Sequence, residues 1–322
     1  MLRNSCTTRV RACSLRACLT AVTLSCLAPA EADRGEANDG TTFAERALGM
    51  AASAADEPAP DTQVRTVRRN ALLIGGVSAA VAAYGAENWW QGGFGGGFDT
   101  EREGWFGSQT GFGGVDKLGH AYSNYVGVRL MTPLLEEFGN TRRDSVTLAT
   151  LSTVAIYTAV EVIDGFSRRY RFSIEDAIAN VAGAALGYVS EQNSRLDEIF
   201  DFRLYYRRSP YAGSWDPLGD YSGQRYLLVV KADAFASMRD HGVSRYLEAA
   251  VGYGAHGFDA GPGAIVDRRR ELYFGVSLNL SRVVADAFYG GRRGSTTLQR
   301  TADRAFDIIQ FPAIAYSRRG LD

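Results

Sequence analysis

Cysteine is missing from everything after residue 26: Cys6, Cys13, Cys18 and Cys26 are the chain's four. A protein from which this opening segment is removed has no disulfide and no thiol chemistry. Lysine is nearly as scarce, with only Lys117 and Lys231 among the 35 basic residues, as expected of a GC-rich genome. Net charge is also nearly absent: −1 at pH 7, with a pI near 6.4, which removes the electrostatic case for nucleic acid. The glycine-rich stretch 91–114 is not followed by Gly-Lys-Ser/Thr, so it is no phosphate-binding loop. No Glu-x-x-His occurs, which argues against a di-iron bundle, and neither Ser167 nor Ser173 sits with a histidine in a nucleophile motif.

The opening segment reads as an export signal spanning residues 1–32. Arginines at 3, 9, 11 and 16 precede an apolar core, Ala17 to Leu27, and small residues at 28, 30 and 32 frame a cleavage window. The rival reading acylates Cys26, but Thr23 three positions upstream suits that poorly, so cleavage without lipid is favoured. Residues 33–63 are polar and alanine-rich without periodicity, the composition of a flexible linker.

Four helices are predicted next, over about 64–90, 116–138, 143–164 and 174–191. The first is crowded with glycine and alanine, which permits close helix contact. Val146–Ile163 is long and apolar enough to cross a bilayer, but Glu161 within it asks for a polar partner inside protein. Ser173 should cap the last helix. Phe94, Phe98, Trp105, Phe106 and Phe112 on the loop between the first two helices suggest a lid, a ligand-stacking surface, a lipid-facing edge or a loop folded onto the bundle. Beyond about Arg195 the period changes to two. Tyr226–Met238, Tyr246–Ala255, Glu271–Ser281 and Ile308–Ser317 read as strands, and Leu272, Phe274, Val276, Leu278 and Leu280 share one face. Four to six strands are too few for a known closed outer-membrane barrel. The fold expected is α+β: a small-residue-rich four-helix bundle over 64–195 and an antiparallel β region over 196–322, packed on the bundle or resting on a membrane surface.

The chemistry concentrates in three polar pairs on three apolar helices: Asp116 with His120, Glu161 with Asp164, and Asp176 with Asn180. Spacings of three and four put each pair on one helix face. Unpaired, each ion would cost several kcal/mol to bury, so the pairs are expected to meet in one pocket with a direct His120–carboxylate hydrogen bond. Lys117, one position from Asp116, is expected to point away towards solvent or a headgroup. His241 and His256 read as loop histidines without ligand-like neighbours.

The framework Asp116, Lys117, His120, Glu161, Asp176, Asn180 and Gly183 resembles the VanZ-like envelope proteins. Glu103-Gly-Trp-Phe106, Gly113 to Tyr122, Asp164-Gly-Phe-Ser167 and Gly275 to Leu280 are similar to the YfiM-like family of predicted periplasmic lipoproteins. The resemblance implies a bacterial envelope location, in the periplasm or at the outer membrane, with an integral inner-membrane protein as the alternative. It brings no agreed biochemical activity.

Three uses of the polar residues remain open: a buried network fixing helix register, general acid–base chemistry, and a metal site of one imidazole with carboxylates. The function expected is a non-catalytic role in envelope organisation. The alternative is an enzyme acting on envelope lipid or cell-wall intermediates, with His120, Glu161, Asp164, Asp176, Asn180 and Asp116 as its catalytic set. No cofactor is specified by the sequence, and the partner expected is membrane or envelope lipid.

Overall fold

Two consecutive glycines, Gly113 and Gly114, open the central helix of the fold. Both adopt positive φ, 63° and 86°, which L side chains rarely tolerate, and they turn the chain into α2 (Val115–Glu137). A computed structural model describes residues 60–258, 267–312 and 314–322, so the expected export segment and most of the linker lie outside the described residues. Chain contacts divide the molecule into Met1–Val64 and Arg65–Asp322. Of the first unit only the opening turn of α1 (Pro60–Asn88) is described.

Within the second unit α2, α3 (Arg142–Asp164) and α4 (Ile174–Gln192) pack against one another in all three pairings. Thr141 caps α3 by accepting from the Asp144 amide, and Ser173 caps α4 by accepting from the Asp176 amide. The closest approach is at Gly183 of α4, where an added Cβ would lie 1.8 Å from the Ala121 carbonyl oxygen. Gly187 one turn on meets Val128 of α2 in the same way, at 2.9 Å. The small residues that permit close packing are therefore on α4. On α1, where they were expected to serve, Gly75 and Gly76 face open space.

What is shown is three mutually packed helices, with α1 joined by a few anchors. Leu73 and Ile74 rest on a core of Val128, Met131, Leu135, Ala149 and Ala184. Thr66 donates to the Phe138 carbonyl, and the amides of Asn70 and Asn140 bond reciprocally at 2.9 Å. The Val146–Ile163 run was expected to be covered by its neighbours. Only one face is: Val146, Ala149, Thr153, Ile156 and Val160 are buried, while Leu151 is 60% exposed and Val162 40%. This is the one described helix long and apolar enough to cross a membrane, by length and composition alone.

Two residues of β1 (Thr100–Glu101) pair in parallel with β2 (Phe172–Ser173), tying the glycine-rich loop to the start of α4. After α5 (Ser194–Ile199) comes a five-stranded antiparallel meander in chain order. Its strands are β3 (Phe200–Tyr206), β4 (Gln224–Lys231), β5 (Leu247–His256), β6 (Arg269–Leu278) and β7 (Ile314–Gly320). β3 was not expected, and β4 ends seven residues before the predicted limit. A 3₁₀ turn and α6 (Ala236–Arg239) follow it instead. α7 (Leu280–Phe288) and α8 (Thr297–Ile308) occupy a stretch that was expected to hold only linker, and the last strand begins at Ile314. Asn279 and Thr296 cap these two helices, a local signal that the period-two reading passed over.

The two faces of this sheet differ: one encloses buried ions around a small apolar cluster of Leu227, Val229 and Ala250, and the other carries half-exposed apolar side chains. One face carries Asp201, Arg203, Lys231, Glu248, Glu271 and Ser277, all buried. The sheet curls around them until Tyr205 on one edge strand and Tyr316 on the other bring their ring centroids to 6.3 Å. Arg225 sits among the rings of Tyr205, Tyr273 and Tyr316 at 5.1–5.9 Å. The opposite face is apolar. One end of it, with Phe202, Leu204 and Tyr226, packs on Tyr122 and Tyr125 of α2. The rest is open: Phe200, Leu228, Leu247, Val251, Phe274, Val276 and Leu278 are each 37–53% exposed.

Candidate functional site

The three polar pairs come from the N-terminal end of α2, the C-terminal end of α3 and the N-terminal end of α4, and these ends meet. His120 Nδ1 lies 3.2 Å from Asn180 Oδ1 and 3.4 Å from Glu161 Oε1, and His120 Nε2 lies 3.8 Å from Asp176 Oδ1. Glu161, Asp176 and Asn180 are buried, and His120 keeps a quarter of its side chain exposed. The hydrogen bond of His120 goes to the Asn180 amide; the His120–carboxylate hydrogen bond that was expected is replaced by contacts a few tenths of an ångström too long. Asn124, one turn beyond His120, donates to the same Asn180 oxygen at 2.7 Å. Asp164 turns to the other side of the cluster and accepts from the Trp90 indole at 2.6 Å.

Lys117 corrects the sequence reading most sharply. It is 2% exposed and points inward, with Nζ 2.8 Å from Asp116 Oδ2, 2.8 Å from Asp176 Oδ1 and in contact with Glu103 Oε2. Consecutive helix positions are about 100° apart, so a four-carbon arm in the first turn can sweep back across its neighbour. Asp116 is thereby fixed as a lysine partner. The αL residue Gly114 is the N-cap, without a side-chain bond. Glu103 was not picked out as a site residue, although it opens the Glu103-Gly-Trp-Phe106 stretch that carried the resemblance. Its neighbour Gly104 is held by the buried Glu175, whose Oε1 accepts from the Gly104 amide at 3.3 Å.

Three carboxylates thus surround one lysine, with Glu161 and Asp164 close by, and their proton affinities register the imbalance. Burial, followed by the charges of Asp176 and Asp164, pushes Glu161 up to about 9. Burial and then Asp176 push Glu103 up to about 7, with Lys117 working the other way. Burial lifts Asp164 to about 6 despite the Trp90 hydrogen bond. Burial acts to raise Asp176 as well, but His120 and Lys117 outweigh it and hold the group below its ordinary value. Burial disfavours the Lys117 ammonium, and Asp116 and Asp176 more than compensate, so it stays charged. Two groupings could hold a cation: His120, Glu161 and Asp176, and Glu103, Asp116 and Asp176. The second already surrounds the Lys117 ammonium.

The aromatic loop is folded down. Phe98 packs on Phe166 and Phe172, Phe106 on Tyr253, and Phe112 on Tyr221. A second ionic network, not foreseen from spacing, links the helices to the enclosed sheet face. Arg129 of α2 meets Glu191 at 2.9 Å, Asp197 at 2.5 Å and Asp307 at 3.5 Å. Lys231 joins Asp307 to Asp201, and Arg203 forks onto Asp201 and Glu248. Its members lie far apart in sequence, so no local signal marks them. Of the other histidines, His241 is exposed and His256 is half-buried beside Tyr211, with 3.3 Å between His256 Nε2 and the Tyr211 hydroxyl.

Residues 102–192 match a family described as predicted periplasmic lipoprotein (DUF2279). The match covers α2, α3 and α4 and every member of the polar cluster except Trp90, and it stops before the sheet. Its description fits an exported envelope protein of unknown biochemical role. No curated protein and no solved structure matches the chain.

Proposed function

We propose that this is a non-catalytic envelope protein that lies against a lipid surface through the open apolar face of its five-stranded sheet. The observation that carries the reading is the open face of that sheet: Phe200, Leu228, Leu247, Val251, Phe274, Val276 and Leu278 are presented to the surroundings while the ions are enclosed on the other face. Each such side chain gains roughly 1.5–3 kcal/mol when fully removed from water, so a contiguous set of seven is costly to leave wet. At the end of the sheet where β4 and β6 finish and β5 begins, the connecting segments add Phe235, Met238, Val243 and Phe288, exposed at 40–79%. Arg239 lies exposed on the same segments, suited to an anionic headgroup beside inserted apolar tips, while Arg245 and Arg282 are paired with Asp286. The outward faces of α3 and α4, with Leu151, Val162, Ile178 and Val181, are compatible with the same apolar surroundings. The family description, an envelope one, supports the compartment.

In this reading the polar cluster fixes the register of three helices. Flotation tests the lipid contact. The mature chain should rise with phosphatidylethanolamine–phosphatidylglycerol vesicles, and a Phe274→Asp, Val276→Asp variant should stay at the bottom of the gradient while keeping its circular dichroism. A wild-type chain that stays down, or that hides this face in a stable dimer, contradicts the reading. The rival enzyme reading demands intact His120 and Glu161. Rescue of a deletion strain's envelope defect by a folded His120→Gln chain supports the non-catalytic role, and failure of that chain supports the enzyme.

A further inference from the structure

Independently of any lipid contact, we propose that His120, Glu161 and Asp176 form a binding site for a divalent cation of the zinc class. One ligand comes from each of the three packed helices, and single ligand atoms from the three residues all lie within 4.8 Å of one another. One contact that is too long for a hydrogen bond suits this role: His120 Nε2 to Asp176 Oδ1 is 3.8 Å. Two atoms that each bind one ion at about 2.0–2.2 Å stand roughly 3–4 Å apart.

An acidic cluster alone is a weak sign, but here a buried oxygen lacks a partner. Glu161 is 2% exposed, and its Oε1, the atom facing His120, accepts no hydrogen bond. A buried carboxylate oxygen left in this way costs more than a kcal/mol unless a proton or a cation meets it. The lone lysine does not serve it, because Lys117 is spent on Asp116, Asp176 and Glu103. The cluster therefore already holds one fixed cation, and a second would sit among His120, Glu161 and Asp176.

The imidazole is oriented as a metal-bound histidine would be. Asn124 Nδ2 donates to the His120 carbonyl at 3.0 Å, which fixes it as the nitrogen, so Asn180 Oδ1, 2.7 Å from it, is the oxygen and at 3.2 Å also accepts from a protonated His120 Nδ1. That leaves the Nε2 lone pair on the side of Asp176 Oδ1. A ring nitrogen held by a carbonyl while the other is free for a metal is the usual second layer of such sites. Mixed imidazole and carboxylate donors suit Zn²⁺ and its first-row neighbours.

Zinc itself is the probe. The metal-stripped mature chain should take up one equivalent of Zn²⁺ in competition with a chromophoric chelator, and its thermal midpoint should rise with Zn²⁺ and fall back with EDTA. Glu161→Gln and His120→Gln should lose both effects, Asn180→Ala should bind about 10–100-fold more weakly, and His241→Ala should bind as the wild type does. A folded wild-type chain with no uptake and no thermal shift overturns the proposal, even if the variants do not fold. Equal uptake by wild type and a folded Glu161→Gln chain also overturns it, since the ion then sits elsewhere.

Discussion

Glu161 is the residue on which the electrostatics of the helical layer turn. Its carboxyl is raised in the folded chain to about 9 by burial and by Asp176 and Asp164. Between its ordinary value and that one, the folded state binds a proton that the unfolded state has released, so in the absence of metal stability falls as pH rises across this window. Glu161→Gln, which imitates the protonated side chain, should flatten the fall. Thermal melts of EDTA-treated protein from pH 5 to 9 check this, and equal slopes for the two chains would contradict it. Lys117→Met leaves Asp116 and Asp176 buried without their cation and should cost about 3–5 kcal/mol in denaturant titrations. The sequence makes the polar pairs visible because three- and four-residue spacings survive any detail of packing. It hides Lys117 and Glu103, whose roles depend on a flexible arm and on a loop that folds back across 14 residues.

Among elements, the first four helices were readable to within a few residues because their apolar runs are long and bounded by Thr141, Ser173 and the glycine pair at 113–114, whereas the four shorter ones after them were not. Which helices pack most closely was not readable, since glycine and alanine are abundant in α1 and α4 alike. Contact with Ala121 decides it. Gly183→Ala should therefore part α2 from α4 and destabilise by at least ~1–3 kcal/mol, whereas Gly76→Ala on α1 should be neutral or slightly stabilising. Urea titrations of the two variants distinguish these outcomes. In the sheet, the alternation of Leu272, Phe274, Val276 and Leu278 correctly places them on one face, whereas Leu280, expected to share it, begins α7. Period two cannot say whether that face looks inward or outward. That is decided by Asp201, Arg203 and Glu248, which satisfy one another on the opposite side. Lys231→Met should test that side: it deprives buried Asp201 of a partner at 2.7 Å and should cost about 3–5 kcal/mol.

For the whole molecule, enclosed ions and an open apolar sheet face make sense together if the surroundings are partly lipid. The described residues carry no cysteine, so one introduced at Val276 can be labelled uniquely in the mature chain with an environment-sensitive fluorophore. The same label at exposed Arg143, on the first turn of α3, serves as the control. On adding phosphatidylethanolamine–phosphatidylglycerol vesicles, the label at 276 should shift to the blue and become quenched by lipids brominated in their acyl chains, while the label at 143 stays quenched by aqueous iodide. A label at 276 that remains as accessible to iodide with vesicles as without them would contradict the lipid-facing sheet.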